Sequence, residues 1–218
     1  MEVPSEPPAP PACLLTESLL GGKIIVLNGF PGTGKFTILK RVKDILPPNK
    51  TRLLDNHLLI DPVHAIYPDR SSQHHALRRL LRAPVFLSLK QLAIEEGYVI
   101  LMTACLAQNN ERDAAVLDEH LAMVRGTAIP LFWINVHCDA RILEQRVRTP
   151  ERCGSGKSKL TDVDVLRKML SEHSLIQPQA VDHASVNLVV ETLDVSGTVE
   201  NSVDCLMNMA GLTPVPDH

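Results

Sequence analysis

Short apolar runs alternate with segments of helical periodicity along most of the chain. The first run, KIIVLNGF at 23–30, is β-branched and ends at a glycine turn, which is typical of a strand buried on both faces of a parallel sheet. Apolar residues then recur at Phe36, Leu39 and Val42, which predicts an amphipathic helix that ends before the two prolines at 47–48. The pattern therefore begins as strand, glycine-rich turn and helix.

The same alternation continues to the end of the chain. We predict further strands at 51–57, 98–106, 129–138 and 185–193. We predict further helices at 71–97 (one helix, or two bent at Pro84), at 109–126, from 139 to about 148, from a capping box at Thr161 and Asp164 onward, and at 198–210. Strands separated mainly by helices require right-handed crossovers, so the expected fold is a three-layer αβα arrangement around a five-stranded parallel sheet. In such a sheet, ligands bind beyond the carboxyl ends of the strands.

Composition limits the classes of protein. A chain of 218 residues that is 44% hydrophobic fits one domain, which we place at 23–210, after a Pro-rich leader at 1–22 expected to be disordered and before a flexible tail at 211–218. The net charge of -3 gives no strong nucleic-acid signal, and no apolar run is long enough to cross a membrane. Five scattered cysteines predict reduced thiols and a cytoplasmic protein, and the histidines show no zinc-ligand spacing.

The turn after the first strand carries the most specific motif. In NGFPGTGKFT, at 28–37, Gly29, Gly34 and Lys35 have the G-x-x-x-x-G-K spacing of a phosphate-binding loop, but Phe36 stands where Ser or Thr would reach Mg²⁺. Backbone N–H groups and the positive end of the following helix can surround phosphates, with Lys35 bridging the β- and γ-phosphates. An incidental glycine turn is the weaker alternative. The expected nucleotide contacts are Gly29, Phe30, Pro31, Gly32, Thr33, Gly34, Lys35, Phe36 and Thr37.

The missing hydroxyl changes how Mg²⁺ would be held. Thr37 cannot replace it, because one helical step turns a side chain by about 100°. Mg²⁺ keeps several waters and often takes only one or two protein ligands, so we expect Phe36 to pack under the sheet while an acid from elsewhere holds the ion. Asp55, at the carboxyl end of the second strand, is the best candidate, through water, and Thr103 is a weaker one.

Asp55 has a second expected role. A carboxylate at this edge can accept a proton from the hydroxyl of a phosphoryl acceptor, and its neighbours Asn56 and His57 would then contact the substrate. The alternative is that Asp55 only caps the following turn.

Basic residues form two further groups. Arg146, Arg148 and Arg152 lead into a glycine-containing segment at about 148–160, which we expect to act as a mobile lid whose arginines neutralise phosphate charge, although part of this stretch is a solvated face. Arg78 and Arg82 share one helical face and either bind an acidic substrate or face water, with water the favoured interpretation.

Two short motifs complete the candidates. After the last strand, DVSG at 194–197 is expected to line the base pocket, with Asp194, Ser196 and Gly197 as contacts made largely through the backbone. GSGKS at 154–158 is rejected as a second phosphate loop, because Glu151 falls on its first glycine position and no strand precedes it.

Together these motifs resemble the P-loop small-molecule kinases, with adenylate-kinase-like strand order and members such as chloramphenicol phosphotransferase and shikimate kinase. The resemblance covers roughly 23–210 and is closest to uncharacterised P-loop ATPase-domain (AAA domain) proteins whose loop is GFPG-x-GK followed by an apolar residue. It implies ATP and Mg²⁺, an acceptor near Asp55 and lid arginines at 146–152.

The expected activity is therefore ATP-dependent phosphoryl transfer to a small hydroxylated or phosphorylated metabolite. A nucleotide-binding regulatory protein, or an ATPase with little transfer, is the alternative. A GTPase is disfavoured because no N-K-x-D signature follows a predicted strand. The sequence does not predict an oligomeric state.

Overall fold

A computed structural model describes residues 21–149, 160–179 and 185–214 of the chain. Its strands are β1 (Lys23–Asn28), β2 (Thr51–Leu54), β3 (Val99–Ala104), β4 (Leu131–His137) and β5 (Leu188–Asp194). They form one five-stranded sheet in the order β2-β3-β1-β4-β5, and every neighbouring pair is parallel. The predicted parallel αβα fold, with the strand order of the nucleotide kinases, is confirmed.

Helices cover both faces of this sheet. They are α1 (Lys35–Ile45), α2 (His57–His64), α3 (Ser72–Glu95), α4 (Glu111–Val124), α5 (Ala140–Val147), α6 (Val163–Glu172) and α7 (Val199–Met209). Side chains of β1 alternate between the two faces: Ile25 and Leu27 pack with α1, α5, α6 and α7, whereas Ile24 and Val26 pack with α2, α3 and α4. Burial on both faces explains why β1 is a continuous apolar run.

Local boundaries decide one alternative that the sequence left open and correct the prediction in two other places. The helix at 71–97 is one helix, α3, which runs through Pro84. Helix α2 was not predicted, and it contains Pro62 near its carboxyl end, where only Val63 and His64 follow. Helix α6 is capped by Asp162, whose Oδ1 accepts the backbone N–H of Asp164 at 2.8 Å, so the predicted capping box at Thr161 is wrong.

Several predicted segments lie wholly or mostly outside the described residues. Residues 1–20 contain nearly all of the predicted leader, 150–159 most of the predicted lid including Arg152, and 215–218 the end of the predicted tail. These segments stay predictions. None of the helices within the described ranges has both the length and the hydrophobicity that a membrane span needs.

Candidate active site

The turn between β1 and α1 has the backbone that the motif requires. Gly32 and Gly34 adopt positive φ angles of 92° and 81°, a region that other residues enter at a cost. A Cβ atom on Gly32 would lie 2.9 Å from Cγ2 of Val147, because the turn lies directly on α5. Both glycines therefore shape a loop that wraps the amino end of α1.

Lys35 is the first residue of α1 and its side chain folds back over this loop. Its Nζ donates to the carbonyl oxygens of Gly29 at 2.6 Å and Phe30 at 3.0 Å, and to Oγ1 of Thr33 at 3.2 Å. The buried Thr33 hydroxyl donates to the Phe30 carbonyl at 2.9 Å. The ammonium group thus lies inside the turn, where it can meet a phosphate placed at the helix terminus.

A cleft of about 320 Å³, named here the loop cleft, opens beside this turn. It is lined by Gly32, Thr33, Gly34, Thr37, Ile38, Arg146, Thr149, Val195, Thr198, Val199 and Ser202. Arg146 closes one side, where Nη2 donates to the carbonyl oxygens of Val195 at 3.0 Å and Gly197 at 3.4 Å. The loop cleft therefore joins the phosphate loop to the segment expected to contact a base.

In that segment, Asp194 and Ser196 hydrogen-bond to each other. The Ser196 hydroxyl donates to Oδ1 of Asp194 at 2.6 Å and accepts the backbone N–H of Asp139 at 2.9 Å. The hydroxyl bond to Asp194, together with a bond from the Ser196 backbone N–H to the same Oδ1 at 2.9 Å, lowers the pKa of the Asp194 carboxyl. These hydrogen bonds stabilise the conformation of the turn after β5. Of the residues in this turn, Val195 lines the loop cleft.

Phe36 lies elsewhere than predicted. The buried stripe of α1 consists of Ile38, Leu39 and Val42, and Phe36 falls outside it with 38% of its surface exposed. The expectation that Phe36 packs under the sheet is therefore wrong. Its ring borders a second cleft of about 290 Å³, named here the Phe36 cleft, lined by Phe36, Lys40, Lys43, Asp44, Leu53, Asp55 and Leu58.

Asp55 follows β2 directly and is almost completely buried, with 5% of its surface exposed. Its Oδ1 accepts the hydroxyl of Thr103 at 3.0 Å and, more weakly, the backbone N–H of His57 at 3.4 Å. The Thr103 hydroxyl in turn accepts the backbone N–H of Asn56 at 2.8 Å. Thr103, near the end of the neighbouring strand β3, therefore fixes the orientation of Asp55. Asp55 both contacts the backbone of the turn that follows it and lines the Phe36 cleft.

The arrangement fits a magnesium ion held mainly by water and phosphate. Asp55 supplies one carboxylate and Phe36 supplies no oxygen, while the Thr103 hydroxyl hydrogen is donated to Asp55. Within the described ranges, no group of three or more His, Cys, Asp or Glu side chains is arranged to hold a metal. Because Mg²⁺ commonly uses one or two protein ligands in nucleotide sites, the single carboxylate of Asp55 would be enough as the protein's share.

Arg82 is buried and Arg78 is partly buried, so the favoured interpretation that this pair faces water is wrong for Arg82 and holds only in part for Arg78. Helix α3 packs against α4, and Arg82 lies at this contact. The Arg82 guanidinium binds Glu119 through two bonds, Nε to Oε2 at 2.6 Å and Nη2 to Oε1 at 3.0 Å. Arg78 is partly buried, and its Nη2 reaches Oδ1 of Asn56 at 3.5 Å, beside Asp55.

The remaining candidates lie at the edges of the site. Arg148 is exposed at the carboxyl end of α5, and Arg152 is outside the described residues. The imidazole of His57 lies 3.3 Å from Oδ1 of Asp61 within α2.

Sequence reasoning missed two buried amides that anchor the site. The Asn28 side chain, at the end of β1, donates to Oδ1 of Asn135 at 2.9 Å and accepts the backbone N–H of Leu106 at 2.7 Å. Asn135 donates to the carbonyl of Ile176 at 3.1 Å. A polar residue inside an apolar strand was the available signal, since buried amides need partners. These bonds fix the end of β1, and hence the start of the phosphate loop, to β4 and to the loop after β3.

The strand order, the loop between β1 and α1, and the carboxylate after β2 together define the fold of the P-loop small-molecule kinases. The particular structures that this chain resembles include a shikimate kinase from Bacteroides thetaiotaomicron, at 18% identity and a TM-score of 0.52, covering 87% of this chain and 99% of that one. A sugar kinase from Janibacter matches at 14% identity and a TM-score of 0.55, covering 88% and 96%.

A gluconokinase from Sinorhizobium meliloti 1021 matches at 12% identity and a TM-score of 0.53, covering 88% of this chain and 93% of that one. At such low identities these matches confirm the predicted resemblance as a likeness of fold. No protein-family model matches the chain, and a comparison with curated proteins finds no match.

Proposed function

We propose that the protein is an ATP-dependent phosphotransferase that moves the γ-phosphate of ATP to a small-molecule acceptor. The observation that carries this proposal is the position of Asp55 relative to the phosphate loop. Asp55 lines the same cleft as Phe36, the residue after Lys35, so the buried carboxylate and the start of α1 border one space. A phosphate at the loop and a hydroxyl at the carboxylate would meet there.

The positions of these residues support the following proposed roles. The loop amides and Lys35 bind the triphosphate, Arg146 borders the nucleotide in the loop cleft, and Asp55 orients or deprotonates the acceptor. Arg148 and Arg152 are proposed to neutralise charge from the lid side. Bound Mg²⁺, held through Asp55 and water, would neutralise charge on the phosphate oxygens.

One observation favours a second candidate, a nucleotide-binding protein or ATPase with little phosphoryl transfer. An aromatic ring at Phe36 replaces the usual hydroxyl ligand, and a hydroxyl at Thr103 stands at the end of β3 where a metal-binding carboxylate is often found. This candidate predicts tight ATP binding and no product with any acceptor.

A metabolite screen for an ATP-dependent mass gain of one phosphate separates the two candidates. In the first variant test, Lys35→Ala is expected to abolish ATP binding or reduce it at least about 100-fold, since a charge-assisted phosphate contact is lost. Arg41→Ala is the matched control, because Arg41 is an exposed cation of α1 that lines neither cleft. Wild-type affinity in Lys35→Ala would remove the loop from the proposal.

In the second variant test, Asp55→Asn is expected to preserve ATP affinity and to slow transfer by about 100-fold or more, as loss of a general base does. Asp44→Asn is the control, because Asp44 is another acid of the Phe36 cleft. Transfer at the wild-type rate in Asp55→Asn would exclude Asp55 from the chemistry.

A further inference from the structure

Phe36 is an aromatic side chain at a position where the fold does not bury it. It is the second residue of α1, and this helix packs into the core through Ile38, Leu39 and Val42, while 38% of the Phe36 surface stays exposed. The backbone of Phe36 belongs to the phosphate loop, because it directly follows Lys35. The ring therefore presents apolar surface to the Phe36 cleft beside that loop.

Two further apolar side chains reach the same cleft from other elements. Leu58, the second residue of α2, is 57% exposed, whereas α2 packs into the fold through Leu59 and Val63. Leu53, in β2, is half-buried and packs against the core on the side of the sheet that α1 covers. The elements α1, β2 and α2 thus each supply one apolar side chain to the Phe36 cleft.

Exposure of an apolar side chain does not by itself indicate a site, since single exposed apolar residues are common on protein surfaces. Leu80 on α3 is an example, because it is 70% exposed and lines neither cleft. The Phe36 cleft differs because its three apolar side chains line it together with the buried carboxylate of Asp55. Its other lining residues are exposed side chains of α1, namely Lys40, Lys43 and Asp44.

This combination fits a small molecule that is partly apolar. Apolar walls with a small number of placed polar groups are the usual composition of a ligand pocket, and a volume of about 290 Å³ is close to the lower end of the usual range. Apolar walls favour an apolar part of the ligand, since both surfaces lose contact with water on binding. The Asp55 carboxylate is the buried polar group of the cleft that can accept a hydrogen bond from a hydroxyl.

We propose that the phosphoryl acceptor carries an apolar ring beside its reactive hydroxyl, and that the ring packs against Phe36 and Leu58 while the hydroxyl lies at Asp55. This inference rests on the proposed function, which it extends to the class of acceptor. It gives Phe36 two separate roles, because its backbone N–H serves the phosphate loop and its ring selects the acceptor. Phe36 directly follows Lys35, so a molecule held by this ring lies close to the phosphate that Lys35 binds.

Binding of an apolar ring in the Phe36 cleft can be measured on the full chain without ATP. The ¹⁹F NMR signal of para-fluorobenzyl alcohol is followed in a titration with the protein, and fluoroethanol serves as a hydroxylated probe without a ring. Saturable binding is expected for the ring probe alone, and its dissociation constant should rise by about 5- to 10-fold in Phe36→Ala and in Leu58→Ala, because each variant loses an apolar contact.

Ile66→Ala is the matched control for this titration, because Ile66 is 63% exposed and lines neither cleft. Both Phe36 and Leu58 are exposed, so their alanine variants are expected to fold. The inference is overturned if wild-type protein does not bind the ring probe saturably, if Phe36→Ala binds it with unchanged affinity, or if Ile66→Ala weakens binding equally.

A kinetic measurement tests the same contact during transfer. For an acceptor found in the metabolite screen, Phe36→Ala is expected to raise the acceptor KM by about 10-fold without an equal rise in the KM for ATP, whereas Phe36→Leu should raise it by less than about 3-fold, because leucine keeps an apolar side chain. Ile66→Ala should change neither constant. An acceptor without an apolar ring, or an unchanged acceptor KM in Phe36→Ala, overturns the inference. If no acceptor is phosphorylated, the proposed function fails, whereas the ¹⁹F titration still decides whether the cleft binds an apolar ring.

Discussion

Replacing Arg78 by methionine should make the folded protein more stable. Burial and neighbouring arginines lower the pKa of Arg78 from its ordinary value to about 10. Because this base loses affinity for its proton on folding, the charged form is penalised in the folded state at every pH below about 10, and the penalty is relieved only as pH rises through that value. The difference corresponds to about 3 kcal/mol.

Methionine keeps an unbranched apolar stem and removes the charge. The substitution removes the hydrogen bond from Arg78 to Asn56, but this loss reduces the free energy of unfolding only slightly, since a hydrogen bond at 3.5 Å is weak. After a discount of about half for solvent at the partly exposed end of the side chain, we expect a gain of about 1 to 2 kcal/mol in the free energy of unfolding at pH 7. With a urea slope of about 2 kcal/mol per M, the unfolding midpoint should rise by roughly 0.5 to 1 M.

Two neighbours on α3 serve as controls for this urea measurement by circular dichroism. Arg79→Met should move the midpoint little, because that side chain is 79% exposed and lies 3.8 Å from Glu119. Arg82→Met should lower stability by about 3 to 5 kcal/mol, since it leaves the Glu119 carboxylate without its strongest partner. A midpoint for Arg78→Met clearly below that of Arg79→Met would show that Arg78 stabilises the fold and would refute the reasoning.

Two further predictions concern His120 and the loop glycines. His120 packs between Phe86 and Trp133, and its burial lowers its pKa to about 4, so stability should be complete above pH 6.5 and fall by up to about 3 kcal/mol as pH drops to 4. Urea unfolding at several pH values checks this, and an equal loss in His120→Phe would assign it to other groups. Gly34→Ala should cost about 1 kcal/mol, because its φ is positive but the space around it is open. Gly32→Ala should cost more and also weaken ATP binding, because its Cβ would meet Val147; equal thermal shifts for both variants would contradict the packing argument.

The architecture could be predicted because its signals are local. Apolar runs for β1, β3 and β4 indicated strands buried on both faces, and the phosphate-loop spacing indicated the turn into α1. The position of Asp55 at the carboxyl edge followed from parallel strand direction alone. Each of these inferences needed only residues adjacent in the chain.

The details that were missed depend on residues far apart in the chain. The partner of Arg82 is Glu119, 37 positions away, so no local pattern showed that this helical face is covered by α4. The bond between Asn28 and Asn135 spans 107 positions. Phe36 was misplaced for a different reason, since the exact start of α1 decides which residues of its first turn point to the core.

The Lys35 side chain already occupies part of the space that a phosphate would share. Its amine is hydrogen-bonded to oxygen atoms of the turn at 2.6 to 3.2 Å, so this side chain links parts of the turn to each other. On the proposed function, a polyphosphate would exchange one set of oxygen atoms around the amine for another, and the turn would not have to fold anew. Nucleotide binding would then replace internal hydrogen bonds in a turn that is already formed.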